Sequence, residues 1–246
     1  MENYRLEGKT FVIDDYDRLP AFSSFLPGLA GVKGIPMWTF YTNRGQGMNS
    51  FGIDNKGNAI MEFNSANTAF ENTTVKGFRT FLKIDGEYYE PFFKYEKEAK
   101  RQIRMNKNSF KIIETNKKYG IEVTVNYFIL PNESIGALVR QVSVKNISDS
   151  AKDIEVIDGL PKIITYGISN GEFKEMSNLF KSWAYIKNID NKVPYYTLRA
   201  STKDSAEVSD VEGGYYYLTI KDGELQDVIY DVDTVFGYDL SLMTPV

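Results

Sequence analysis

Gly120-Ile121-Glu122-Val123-Thr124-Val125-Asn126-Tyr127-Phe128-Ile129-Leu130 is the stretch whose reading decides the fold. Its odd positions, Ile121, Val123, Val125, Tyr127 and Ile129, form an apolar face, while Glu122, Thr124 and Asn126 point the other way. Successive side chains of a strand alternate between the two faces of a sheet, so this pattern predicts a strand with one buried side. A second run follows, with Leu138, Val142 and Val144 alternating against Val139, Gln141, Ser143 and Lys145. It breaks at Asn146-Ile147-Ser148-Asp149-Ser150, and a third run, 153–158, is expected to close the hairpin.

Working outward, period-two runs recur at 10–13, 37–42, 49–53, 59–63, 75–84, 87–93, 101–105, 109–115, 195–201 and 215–220. Turn signals such as Asp54-Asn55-Lys56-Gly57-Asn58, Asp85-Gly86 and Asp222-Gly223 separate several of them. So many short strands exceed what one open sheet holds, and the pattern predicts an all-β, two-sheet antiparallel β-sandwich. One segment departs from it. Over 171–184, Phe173, Met176, Leu179, Phe180 and Trp183 recur at three- and four-residue spacing, which predicts one short amphipathic helix. No linker or repeat divides the chain, so 1–246 reads as a single domain. The apolar run from Phe236 to Val246 reads as another strand and suggests that the chain is C-terminally truncated.

Composition filters the chemistry. The 246 residues contain no His and no Cys, which excludes His-assisted nucleophiles, thiol redox centres, disulfides and imidazole or thiolate metal sites. Carboxylates, Lys, Arg, Tyr and hydroxyls remain. A balance of 29 basic against 33 acidic residues, net charge -4, with no basic run, argues against nucleic acid as a partner. No apolar run has membrane-spanning length and the start lacks a signal-peptide pattern, so the expectation is a cytoplasmic protein with no membrane partner. The sequons at Asn72, Asn132 and Asn146 then carry no meaning. The 17 Tyr, 16 Phe and 2 Trp suit the pleated, half-buried surfaces of sheets.

The most unusual stretch runs from Phe11 to Phe63, where Pro20, Pro27 and Pro36 and several glycines are mixed with aromatics. That composition predicts an ordered irregular loop, which serves either as a structural connection or as a binding edge of the sandwich. Inside it, Asn43-Arg44-Gly45-Gln46-Gly47 combines a guanidinium, two amides and two small residues. Such a set can hold sugar hydroxyls or a phosphate, or be a plain hairpin turn. It lacks the Lys-Ser/Thr ending of a P-loop. Asp14, Asp15 and Asp17, and Asp231 with Asp233 on one expected strand face, are the candidate carboxylate pairs for glycoside chemistry, though such pairs arise freely among 33 acidic residues. Arg140 interrupts the apolar face of its strand. An inward Arg needs a carboxylate partner, and a bulge near Gly136 that turns it outward is the favoured reading. Trp38, Tyr41, Trp183, Tyr215, Tyr216 and Tyr217 can stack on sugar rings or fill the core.

Ile13-Asp14-Asp15-Tyr16-Asp17 with Leu19-Pro20, then Phe22-Ser23-Ser24-Phe25-Leu26-Pro27-Gly28, Gly34-Ile35-Pro36 with Trp38, and Phe40-Tyr41 with Asn43-Arg44-Gly45-Gln46 carry a resemblance. So do Ser50-Phe51-Gly52, Glu62-Phe63 with Ala66-Asn67, Gly77-Phe78-Arg79-Thr80-Phe81, and the later pair 142–148 and 154–161. These residues resemble the N-terminal region of the glycoside hydrolase family 94 phosphorylases, nearest to the 1,2-β-oligoglucan phosphorylase branch and more distantly to cellobiose phosphorylases. The resemblance implies a large supersandwich of the galactose-mutarotase-like kind, followed in such enzymes by a helical linker and a catalytic (α/α)6 barrel that is absent here. It implies phosphorolysis of β-1,2-glucooligosaccharides to glucose 1-phosphate by the whole enzyme, with inversion, inorganic phosphate as co-substrate and no cofactor. For this chain alone it implies no catalytic residue and no activity. Implied roles are homodimer formation and shaping of a β-glucan pocket, with Tyr41, Asn43, Arg44 and Gln46 as pocket or interface candidates. A free-standing carbohydrate-binding module is the alternative. An aldose epimerase is a further one, disfavoured because those enzymes resemble one another in using a His acid.

Overall fold

The computed structural model describes residues 3–26, 33–203 and 205–246. Pro27 and Gly28 of the loop stretch lie outside the described residues. The fold is all-β and antiparallel, and the chain divides into two compact units: Met1–Asp54 with Phe63–Pro161, and Asn55–Glu62 with Lys162–Val246. None of the three crossings is marked by a Pro/Ser/Gly linker.

In the first unit the strands are β1 (Tyr4–Glu7), β2 (Thr10–Asp14), β3 (Ser23–Leu26), β4 (Met37–Thr42) and β5 (Met48–Ile53). Strand β6 (Ala59–Met61) belongs to the second unit, and the helix α1 (Ala66–Lys76) returns the chain to the first. There follow β7 (Arg79–Ile84), β8 (Glu87–Tyr89), β9 (Ala99–Met105), β10 (Ser109–Asn116), β11 (Ile121–Ile129), β12 (Leu138–Asn146) and β13 (Ile154–Gly159). One layer is the six-stranded sheet β1-β2-β9-β10-β11-β12. The facing layer is built from β3-β4-β5 and from β13-β7-β8. The deciding stretch is β11, held between β10 and the edge strand β12: Ile121, Val123, Val125 and Tyr127 are fully buried and Ile129 nearly so. The layers meet through aromatic rings, with Tyr41 on Phe110 at 4.6 Å and Phe78 near Tyr127 at 5.8 Å between centroids.

The second unit contains β6, α2 (Asn170–Met176), α3 (Phe180–Trp183), β14 (Ala184–Lys187), β15 (Tyr195–Leu198), β16 (Tyr215–Tyr216), β17 (Ile220–Lys221), β18 (Glu224–Leu225) and α4 (Val232–Phe236). Its sheets are β14-β15-β16 and β17-β18. The helical segment expected over 171–184 is there as α2, a 3-10 turn and α3, with Phe173 and Phe180 buried and 4.8 Å apart.

Four expectations need correction. The strand after β12 does not close a hairpin on it: β13 crosses to the facing layer and pairs with β7, Val156 opposite Leu82. The helix over 171–184 is not the only one, because 66–76 forms α1. Its buried face is Ala69 and Thr73, and it is held by polar contacts: Asn49 donates to the Ala69 carbonyl (3.2 Å) and to Thr73 Oγ1 (3.0 Å), and the Thr42 hydroxyl reaches Thr73 Oγ1 (3.1 Å). A helix docked by hydrogen bonds has no apolar stripe for a periodicity search to find. The terminal run is not a strand either. Asp231 caps α4 by accepting from the Asp233 N–H (3.0 Å), which also removes the shared strand face imagined for those two carboxylates. Lastly, Arg140 sits in unbroken register opposite Tyr127, with no bulge, and points inward.

Candidate functional site

The turn between β4 and β5 is determined almost atom by atom. Thr42 N–H donates to the Gly47 carbonyl (2.8 Å) and Gly47 N–H to that of Arg44 (2.9 Å). Gly45 and Gly47 have φ of +49° and +82°, the left-handed region that favours glycine. At Gly47 a Cβ would lie 2.4 Å from the Phe110 ring, so close approach demands glycine there independently of φ.

Asn43 is fully buried. Its amide donates to the carbonyls of Tyr16 (2.9 Å) and Pro20 (3.0 Å) and accepts from Phe22 N–H (2.9 Å), which ties the preceding loop to the turn. The Tyr16 hydroxyl, itself inside the core, donates to the Gly45 carbonyl (2.7 Å). Arg44 is half-buried and donates to the carbonyls of Asn43 (2.8 Å) and Leu19 (3.1 Å). Tyr41 is buried against Phe110, and its hydroxyl meets Met105 Sδ at 3.0 Å. Burial pushes the Tyr41 phenol up, against a hydrogen bond with Ser24 that works the other way.

Gln46 leads to the residues that sequence reading did not connect to this turn. Its amide nitrogen donates to Thr80 Oγ1 (3.0 Å), and its oxygen accepts from the Arg140 guanidinium. Arg140 has a side chain 7% exposed and also donates to Asp158, to Thr80 Oγ1 (3.1 Å) and to the Tyr127 hydroxyl (3.1 Å). Thr80 donates to the other Asp158 oxygen (2.6 Å). Burial works to lower the Arg140 pKa, but the charge of Asp158 and the Tyr127 hydroxyl outweigh it and hold the pKa above the ordinary arginine value. One guanidinium thus joins β12 and β11 of the large sheet, β7 and β13 of the facing layer, and the turn. The signal that could have found it was the odd cation on an apolar face, read together with the requirement for a carboxylate.

Two more buried guanidinium groups work in the same way. Arg79 forms a two-pronged pair with Glu90 (2.7 and 2.8 Å). Arg101 bonds Glu114 (2.7 Å), Asp17 (2.8 Å) and the Lys94 carbonyl (2.6 Å). Asp17 is thereby engaged, Asp14 is held by Arg5 and Gln102, and Asp15 adopts a left-handed turn conformation (φ 47°). The structure therefore brings Tyr41, Asn43 and Gln46 into the packed interior of the first unit, leaves Arg44 of the four partly open, and uses Asp14 and Asp17 as ties. Among the described residues no group of three or more acidic side chains is arranged to hold a metal ion.

Of the aromatic candidates, Trp38 packs edge-on against Phe63 (5.6 Å), whereas Trp183 and Tyr216 are over one-third exposed. No protein-family model matches the chain, and no curated protein matches it.

Proposed function

We propose that this chain is the non-catalytic β-sandwich region of an inverting β-glucan phosphorylase, a scaffold that presents the 43–47 turn to a glucan pocket and helps form a homodimer. The observation that carries this reading is the internal use of ionisable groups in the first unit. Three buried guanidinium groups and their carboxylates are committed to joining strands, and the turn is braced by Asn43, Gln46 and Tyr16. Such a network gives rigidity and leaves little for proton transfer, as expected of a positioning element. The resemblance of the 13–52 stretch to family 94 phosphorylases supplies the reaction class, in which a carboxylic acid outside this chain protonates the glycosidic oxygen while phosphate attacks the anomeric carbon.

The test is direct. The chain alone, given β-1,2-glucooligosaccharide and inorganic phosphate, should release no glucose 1-phosphate, and the complete reading frame from the same gene should release it. Anomerisation of aldoses by the chain alone, followed by NMR, would overturn the reading in favour of an epimerase. A reading frame that encodes no barrel would favour the binding module. Within the complete enzyme, Arg44→Ala should change the kinetics with oligoglucan or the dimer; if it alters neither, the turn has no role in the pocket.

A further inference from the structure

The sheet β14-β15-β16 has an unusual solvent side. Residues directly opposite one another in an antiparallel pair share a face. Tyr185 lies opposite Thr197, Lys187 opposite Tyr195, and Tyr195 opposite Tyr216, so these five side chains share one face. Tyr185 is 46% exposed and Tyr216 38%, Lys187 is exposed and Tyr195 half-buried. The other face carries Ala184, Ile186 and Leu198 together with Tyr196 and Tyr215, and of these only Leu198 is buried while the rest are half-buried. A sheet with one wet face ordinarily alternates apolar with polar or charged residues, and here three aromatic rings take the wet positions.

Exposed tyrosines are good strand formers and need no ligand. Two glycines argue for more. A Cβ at Gly214 would lie 2.3 Å from the Tyr195 ring, and one at Gly213 would lie 3.1 Å from the ring of Tyr166, which is bridged to Thr197 on the neighbouring segment. Bare backbone therefore lets both rings lie close against the sheet. On the same face Thr197 is fully buried, and its hydroxyl has no hydrogen-bond partner among the described residues. Lys187 Nζ stands 5.8 Å from the Tyr185 ring and 5.9 Å from that of Tyr195, and the Arg199 guanidinium lies 5.9 Å from Tyr185. Among these five paired residues, with Arg199 alongside, there are cations, phenols and one hydroxyl, and no carboxylate or aliphatic side chain.

We infer that this tyrosine face is a carbohydrate-binding platform for a pyranose oligosaccharide. The C–H faces of sugar rings suit flat aromatic rings, and ring hydroxyls suit phenol and ammonium donors, whereas a protein partner would call for aliphatic side chains as well. Nucleic acid is disfavoured by the net charge of -4. Three strands at about 4.8 Å spacing span roughly two sugar rings. The inference concerns the second unit and does not rest on the phosphorylase reading.

Calorimetry and saturation-transfer NMR on the 246-residue chain, with β-1,2- and β-1,4-linked glucopentaoses as probes, test it. Saturable binding is expected. The double variant Tyr185→Ala/Tyr216→Ala should weaken it about tenfold or more, while Tyr185→Phe/Tyr216→Phe retains it because the rings stack. Circular dichroism and melting should show both variants folded. The inference fails if neither probe binds at millimolar concentration, or if a folded double-alanine variant binds as the wild type does. It also fails if sedimentation shows the wild type self-associating through this face and the alanine variant not. Absence of phosphorolysis by the complete reading frame would remove the proposed enzyme without touching this result.

Discussion

Arg140 concentrates the energetics of the first unit in one side chain. A buried guanidinium left without its carboxylate is an uncompensated charge, so Asp158→Asn should cost about 3 kcal/mol in chemical denaturation, as should Arg140→Met. Replacing both should cost less than the sum of the two, because no charge is then left unpaired, and a double-mutant cycle measures the difference. Gly47→Ala should cost about 2 kcal/mol, since it combines a positive φ with a collision against Phe110. Of these two features, only Arg140 was visible beforehand as an anomaly. Which way it faced could not be read from sequence, because its partners Gln46, Thr80 and Asp158 come from three distant segments.

Among the elements, α2 offers a clean test of local chemistry. Ser169 Oγ accepts from Glu172 N–H (3.2 Å) and the Glu172 carboxylate accepts from Ser169 N–H (2.8 Å), a reciprocal capping box. The Ser169 hydroxyl, then its backbone N–H, hold the Glu172 pKa below the ordinary carboxylate value. A depressed carboxylate stabilises the fold at neutral pH. That contribution is complete above the unfolded-state pKa and is lost as pH falls through the lower folded-state value. Ser169→Ala should therefore cost about 1 kcal/mol at neutral pH. It should also move the Glu172 titration, followed by NMR, back toward the ordinary range. The strand periodicity was legible wherever one face is buried against a layer, as in β9, β10 and β11. It did not distinguish partners: β12 and β13 are consecutive in sequence, yet the chain places them in different layers. Helix α1 was invisible for the opposite reason, its docking being written in Asn and Thr hydrogen bonds rather than in apolar spacing.

At the scale of the whole molecule, the basic side chains with buried heads face inward and the net charge is negative. The chain should consequently leave a labelled duplex DNA unbound at ~0.1 M salt, where a nucleic-acid protein would still gain from counterion release. Fluorescence anisotropy reads this out, and saturable binding would contradict it. Among the described residues no helix is long and apolar enough to cross a membrane. The functional layer of the sequence was legible only in part. The stretch from Phe11 to Phe63 stood out by composition, but it carries strands β2 to β6 rather than one irregular loop, and the bracing that turns its polar residues inward depends on Tyr16, Thr80 and Arg140. The tyrosine face of the second unit emerges only once the register of β14, β15 and β16 is known.

The pairing of β2 with β9 has a consequence for synthesis. Ile13 lies opposite Ile103, so the first long strand has no permanent neighbour on that side until about 90 further residues have been made. At roughly 5–20 residues per second, the edge of β2 that faces β9 waits several seconds for its partner, while β1 pairs the other edge. Phe11, Val12 and Ile13, of which the last two are buried in the finished fold, leave that edge open to mispairing or to capture by a chaperone during the interval.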